Sequence, residues 1–259
     1  MRKDYFEITK EKSFEITPKK TDDLYQLIQS SSNQQHMCFI ANYPLPFICP
    51  WDPNKMVFQP LGPINKCTEL PTCFEIAYDS SYLVTGYASG NIFVFNPKQT
   101  QWVAIIDRSK RDDGNVAPLT RVTFAQDYQS IIACDRIGNI IQITRFAEFN
   151  PKEISLYEGR MPLTNVFMPT TDSSFLLFSD SNSVNILNTA THEFADISSS
   201  PLGETIRFDA KVNSDKSVLL ITWNGTLFSM FKVESYTKII TLFEYNFDVE
   251  IKECIIRKN

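Results

Sequence analysis

Histidine, glycine and the familiar signatures of catalysis are all scarce or missing in this chain. Its only histidines are His36 and His192. Neither stands at ligand spacing from a second histidine or a carboxylate pair, and "HMC" (His36–Cys38) has no matching pair. A zinc site needs four grouped ligands, so both are expected to be structural or exposed side chains. No GxxxxGK[ST], GxGxxG or GxSxG occurs, which removes the usual phosphate cradles and the nucleophile elbow. The acidic stretch Asp107–Asn115 lacks alternate-position carboxylates and a distal Glu, so it is expected to be a solvated connection and not a calcium loop. No carboxylate pair can be placed for glycoside hydrolysis, and the Ser-x-Asp-x-Gly-x-x-Trp box is absent. No catalytic, cofactor-binding or metal-binding residue is assigned, no motif marks a protein-binding residue, and the expectation is a non-enzyme.

Other absences narrow the setting. Six cysteines (Cys38, Cys49, Cys67, Cys73, Cys134, Cys254) form no CxxC pair, and Met1–Lys12 has no apolar core to serve as a secretory signal. Reduced thiols in strands and a cytoplasmic location follow as expectations. The sequon Asn224-Gly225-Thr226 is then simply a turn. No apolar run approaches bilayer length. The formal net charge is -5 with no basic stripe, which argues against nucleic acid as a partner.

What is present is β-rich. Hydrophobic residues make up 43% of the chain, with many Phe, Tyr, Ile and Val, a composition that favours strands. With only 8 glycines, each is expected to serve the backbone. The stretch "YLVTGYASGNIFVFN" (Tyr82–Asn96) sets a pattern of strand, glycine turn and alternating strand. It returns as "IIACDRIGNIIQI" (Ile131–Ile143), "LLFSDSNSVNIL" (Leu176–Leu187) and "LLITWNGTLFSMF" (Leu219–Phe231). The turn anchors Gly90, Gly138, Ser183 and Gly225 recur at intervals of roughly 40–50 residues. Upstream of each lies a further strand ending in a polar turn: Cys73–Asp79, Arg121–Asp127, Asn165–Asp172 and Arg207–Asp215. A fourth lies downstream, as in Trp102–Asp107 and Lys238–Phe243.

Four short strands per period is the pattern of a propeller blade. One blade cannot bury both faces, and stacked neighbours can. The expected fold is all-β, a WD40-like β-propeller of about four to five divergent blades. The Trp-Asp and Gly-His dipeptides of such repeats are missing. Residues 36–259 are assigned to blades, with clear repeats over 72–243 and an irregular blade within His36–Gly62. The tail Glu244–Asn259 resembles the first strand of another blade, so an incomplete N-terminal part of a larger propeller is expected. Residues 1–35 are assigned to an N-terminal arm. There Phe-Glu-Ile-Thr occurs twice, at Phe6–Thr9 and Phe14–Thr17, as a two-strand hairpin or a frayed arm. Thr21–Gln29 is predicted to be a short helix with Thr21 as N-cap. Binding residues are sought on the rims, in the connections Asp107–Leu119 and Phe146–Leu163 and in the aromatic stretch Asn42–Pro53. The last of these is more simply accounted for as packing of the irregular blade.

The runs Tyr82–Asn96, Ala117–Phe146 and Ser173–Leu187 resemble the N-terminal propeller of the subunit-eight family of vacuolar protein sorting proteins, part of the CORVET endosomal tethering complex. The resemblance covers about Thr72 to Phe243. It implies a cytoplasmic protein, peripheral on early endosome or vacuolar membranes. Its implied partners are class C vacuolar sorting subunits and an activated endosomal Rab GTPase, and its implied role is vesicle tethering in protein transport. The family's long α-solenoid and C-terminal RING-type zinc region are not in this chain. A generic WD40-repeat scaffold is the alternative, and a propeller hydrolase a third.

Overall fold

The computed structural model describes residues 27–30, 36–40, 47–50, 59–60, 69, 71–77, 79, 81–97, 99, 101–108, 117–148, 150–159, 161–200 and 204–256, with backbone only for the first four segments. Every regular element among them is a strand. Twenty strands form five four-stranded antiparallel sheets, each a simple meander. The first holds β1 (Leu27–Ser30), β2 (His36–Ile40), β3 (Phe47–Pro50) and β4 (Gln59–Pro60). The second holds β5 (Pro71–Ile76), β6 (Leu83–Tyr87), β7 (Ile92–Asn96) and β8 (Gln101–Ile106). The third holds β9 (Leu119–Phe124), β10 (Ser130–Asp135), β11 (Ile140–Thr144) and β12 (Lys152–Tyr157). The fourth holds β13 (Asn165–Phe167), β14 (Phe175–Ser179), β15 (Ser183–Asn188) and β16 (Phe194–Ser199). The fifth holds β17 (Arg207–Val212), β18 (Val218–Asn224), β19 (Leu227–Ser235) and β20 (Lys238–Asn246).

Three expectations are corrected. The connection expected over Phe146–Leu163 contains β12, which pairs with β11. Leu27–Ser30 is a strand paired with β2, Leu27 opposite Ile40. The helix expected over Thr21–Gln29 therefore does not hold at its last three residues, and the first sheet starts ahead of His36. Ladder pairing with a neighbouring strand outweighs a local helical pattern. Thr21–Gln26 lie outside the described residues. In the tail, Glu244–Asn246 complete β20, paired with Leu227–Ser229 of β19, and 247–256 carry no strand.

Strand alternation explains the core. In β10, Ile131 and Ala133 face the second sheet, where they join Val84, Ile92 and Val94. Ile132 and Cys134, one residue out of phase, join Val166, Leu176 and Phe178 of the fourth sheet. All four are fully buried, because successive side chains point to opposite faces. The fourth sheet repeats this against the fifth, with Leu177 and Ile186 beside Phe208, Leu220 and Phe231. Gly86 is needed for this stacking: a Cβ there would lie 2.8 Å from Cys73 Sγ and 2.9 Å from Val122 Cγ1 in the third sheet.

The turns carry the other half of the repeat. Between first and second strands, Asp79, Asp127 and Asp215 each accept a hydrogen bond through Oδ1 from the amide two residues on, at Ser81 (2.9 Å), Gln129 (3.1 Å) and Ser217 (3.0 Å). This is the Asx turn, and it accounts for the recurring Asp. Between second and third strands, Gly138 sits at φ 101°. Asp135 Oδ1 gathers the amides of Ile137, Gly138 and Asn139 at 2.9–3.0 Å. The Asn of the Gly-Asn pair ties the turn to the end of the fourth strand. Asn91 Oδ1 accepts from Arg108 N (2.8 Å), and Asn139 Oδ1 from Gly159 N (3.2 Å). In the fourth sheet Ser183 replaces the glycine without positive φ; Asp180 Oδ1 instead holds the amides of Asn182 and Ser183 at 2.7 and 2.8 Å.

Candidate interaction surfaces

The turns joining first to second and third to fourth strands share one rim. On it lies a cleft of about 800 Å³ across the second, third and fourth sheets. Its aromatic wall comes from Tyr82, Tyr128 and Phe146. Tyr82 meets Phe146 edge-on at 5.3 Å, and Tyr128 meets Phe124 at 6.0 Å. Arg145, Glu148, Lys152 and Asp172 surround them, and Arg145 lies 3.9 Å from Glu148 with both exposed. Tyr128 and Arg145 are held at φ 56° and 54°, unusual for side chains of their size. The cleft combines half-buried tyrosines with an exposed guanidinium, the side chains that most often anchor protein contacts.

A second surface lies on the fifth sheet, on the face turned away from the fourth. Registry aligns Arg207, Trp223, Phe228 and Tyr245 in one row, and Asp209, Ile221, Met230 and Phe243 in the next. The inner part is closed, with Ile221 and Trp223 buried. Towards β20 the face opens: Phe243 is 49% and Tyr245 50% exposed. Phe247 continues this cluster, 4.8 Å from Tyr245. Sequence inspection missed this surface, although aromatics at 243, 245 and 247 were a legible alternation.

The residues singled out from sequence scatter. His192 is exposed, in the turn after β15 at φ 60°. His36 lies in β2. Phe47–Pro50 of the aromatic stretch form β3, and its other residues lie outside the described ones, as do residues 109–115 of the acidic loop. Among the described residues no three His, Cys, Asp or Glu side chains group as metal ligands. Cys73, Cys134 and Cys254 are free thiols. Burial pushes the Cys73 thiol up to about 11 and Cys134 up to about 12, away from the thiolate that reacts. Arg108 is buried against Glu153 at 3.2 Å, linking the second sheet's exit to the third sheet.

No family model matches the chain, and no curated protein matches it. Solved structures do. The β-propeller domain of Cps50 (Swd1) from Myceliophteria thermophila superposes with TM-score 0.60 at 10% identity, over 87% of this chain and 74% of that one. The fold is a β-propeller. Dihydro-heme d1 dehydrogenase NirN, in complex with DHE, is similar at TM-score 0.57 and 14% identity, over 86% of this chain and 47% of that one. At such identities the likeness establishes the fold of the blades, and function rests on sites.

Proposed function

We propose that this propeller is a non-enzymatic protein-binding platform in endosomal membrane tethering, of the subunit-eight vacuolar sorting kind. The observation that carries protein binding is the rim cleft, where Tyr82, Tyr128 and Arg145 stand together on neighbouring turns. Rigid tyrosines offer a large contact area at small entropic cost, and a guanidinium at the edge adds directional pairing. The tethering role is supported by the resemblance of Tyr82–Asn96, Ala117–Phe146 and Ser173–Leu187 to that family. These runs contribute the second and third strands of consecutive blades, and Tyr82, Tyr128 and Phe146 of the cleft lie within them. The partners are class C vacuolar sorting subunits and an activated endosomal Rab GTPase, and the location is cytoplasmic, peripheral on endosomal or vacuolar membranes.

The test is retention of the chain on immobilised endosomal Rab loaded with GTP or GDP, beside a pulldown probed for class C subunits. Retention by the GTP form, or recovery of those subunits, is expected. It should fall about tenfold with Tyr128→Asn, which removes the ring while tolerating the left-handed backbone. Failure to bind either partner class removes the tethering role and leaves a scaffold for another assembly. Binding unaffected by Tyr128→Asn moves the contact off the cleft.

A further inference from the structure

A cavity of about 550 Å³ opens between the third and fourth blades. It lies on the opposite rim from the cleft of Tyr82, Tyr128 and Arg145, beside the turn joining β14 to β15. Three rings form its wall. Tyr157, at the end of β12, lies 5.1 Å from Phe178 and 5.5 Å from Phe194, the latter edge-on, and Phe178 and Phe194 are 6.0 Å apart. Three carboxylates stand around the rings: Glu158, Asp180 and Asp196. No Lys, Arg or His lines the cavity among the described residues, and none of those residues forms a salt bridge with any of the three. Strand register explains the arrangement. Phe178 of β14 stands opposite Asn185 of β15, which stands opposite Asp196 of β16. One row across the fourth sheet thus runs from a buried ring to an exposed acid.

Asn185 points to the ligand. It lines the cavity and is only 2% exposed. The Asp180 carboxylate cannot donate, so its Oδ2 accepts from Ser183 Oγ at 3.2 Å, and Asn185 Nδ2 donates to that same Oγ at 2.8 Å. This chain of bonds fixes which way the amide turns. It leaves Asn185 Oδ1 buried with no hydrogen-bond partner, and a buried acceptor left unmet is costly. An aromatic wall, surplus negative charge and a spare acceptor together call for a cation that carries N–H groups. A quaternary ammonium has none to give. A guanidinium has five in a planar fork, stacks on aromatic faces and sheds water more readily than an ammonium. We infer that this cavity receives an arginine side chain presented by a partner protein. The guanidinium lies against Tyr157 and Phe194, a cation–π arrangement. It donates to Asn185 Oδ1 and to Asp196, while Glu158 and Asp180 add to the field that holds the charge.

The experiment is an NMR titration of the isotope-labelled full chain with the capped peptide Ala-Ala-Arg-Ala-Ala. It follows the side-chain amide of Asn185 and the backbone amides of Asn182, Ser183 and Asp196. Two further peptides replace the arginine by citrulline, its neutral isostere, and by lysine. A saturable shift at Asn185 is expected with the arginine peptide. The citrulline peptide should bind about tenfold more weakly, and the lysine peptide several-fold more weakly. Asp196→Asn and Phe194→Ala, both at exposed positions, should each weaken arginine binding several-fold and leave the thermal transition in place. No saturable shift at Asn185 overturns the inference. So does binding of the citrulline or lysine peptide as tight as that of the arginine peptide, or arginine binding that neither variant weakens.

Discussion

The third and fifth blades follow one plan and differ in what stands beside them. Both have four antiparallel strands, an Asx turn after the first and a glycine turn after the second. In the third, β10 is buried along its whole length, between the second and fourth blades. In the fifth, one face packs on the fourth blade, and the other leaves β20 exposed over most of its length. β20 is as apolar as strands that are buried elsewhere, yet it is the outermost strand of its blade, a position that leaves β8, β12 and β16 partly exposed as well. A strand's contribution to stability is therefore a property of the pair of faces, as expected when each repeat contacts only its neighbours.

Paired substitutions test the contrast between the two blades. The largest contrast is expected between the two turn glycines. A Cβ at Gly138 would lie 2.0 Å from the Met161 carbonyl oxygen, and the backbone is at φ 101°. Gly138→Val should abolish the cooperative thermal transition followed by circular dichroism. At Gly225 the nearest obstacle is the Glu204 Oε2 atom at 3.3 Å, at φ 46°. Gly225→Ala should cost only about 1 kcal/mol. Equal losses would mean that the two turns are under the same constraint.

The next contrast concerns the faces. Ile132→Ala in the third blade should cost about 2–5 kcal/mol in urea unfolding, from lost burial plus the cavity left behind. Phe243→Ala in the isolated fifth-blade face should cost less than about 0.5 kcal/mol, as surface substitutions do. A cost for Phe243→Ala approaching that of Ile132→Ala would show that something packs on β20.

The smallest effect is electrostatic and confined to the fifth blade. The Ser217 hydroxyl, then Lys232 at 2.9 Å, hold the Asp215 carboxyl well below the usual carboxylate range. A depressed carboxylate stabilises the fold above its unfolded-state pKa of about 3.9, and that contribution fades as pH falls through the folded value. The stability gap between the natural chain and Asp215→Asn should thus narrow from about pH 4 downwards. Asp215 is half exposed, so the gap should be small and shrink further in high salt. A gap that widens on acidification would contradict this sign.

Much of the blade is legible in the sequence. Gly90, Gly138 and Gly225 fall where the backbone turns left-handed, and the Asp after the first strand of the second, third and fifth blades has an explanation in Asx geometry. The strand at Leu27–Ser30 was not legible, because Thr21–Gln29 carries helical end signals and its ladder partner is found only in space. The rim cleft was equally hidden: Tyr82, Tyr128 and Arg145 lie in different turns, and nothing local says that those turns meet.

The strand-turn-strand unit, its repetition and its turn chemistry can all be read from the order of the residues. These depend on side-chain alternation and on φ preferences, which are local. Which apolar strands are buried, which are bare and which turns share a cleft is settled when the blades assemble. Those outcomes depend on the neighbour each face acquires when the blades stack around a common axis. Ile132 and Phe243 are both apolar strand residues; one is enclosed by the fourth blade, and the other has no described strand against it.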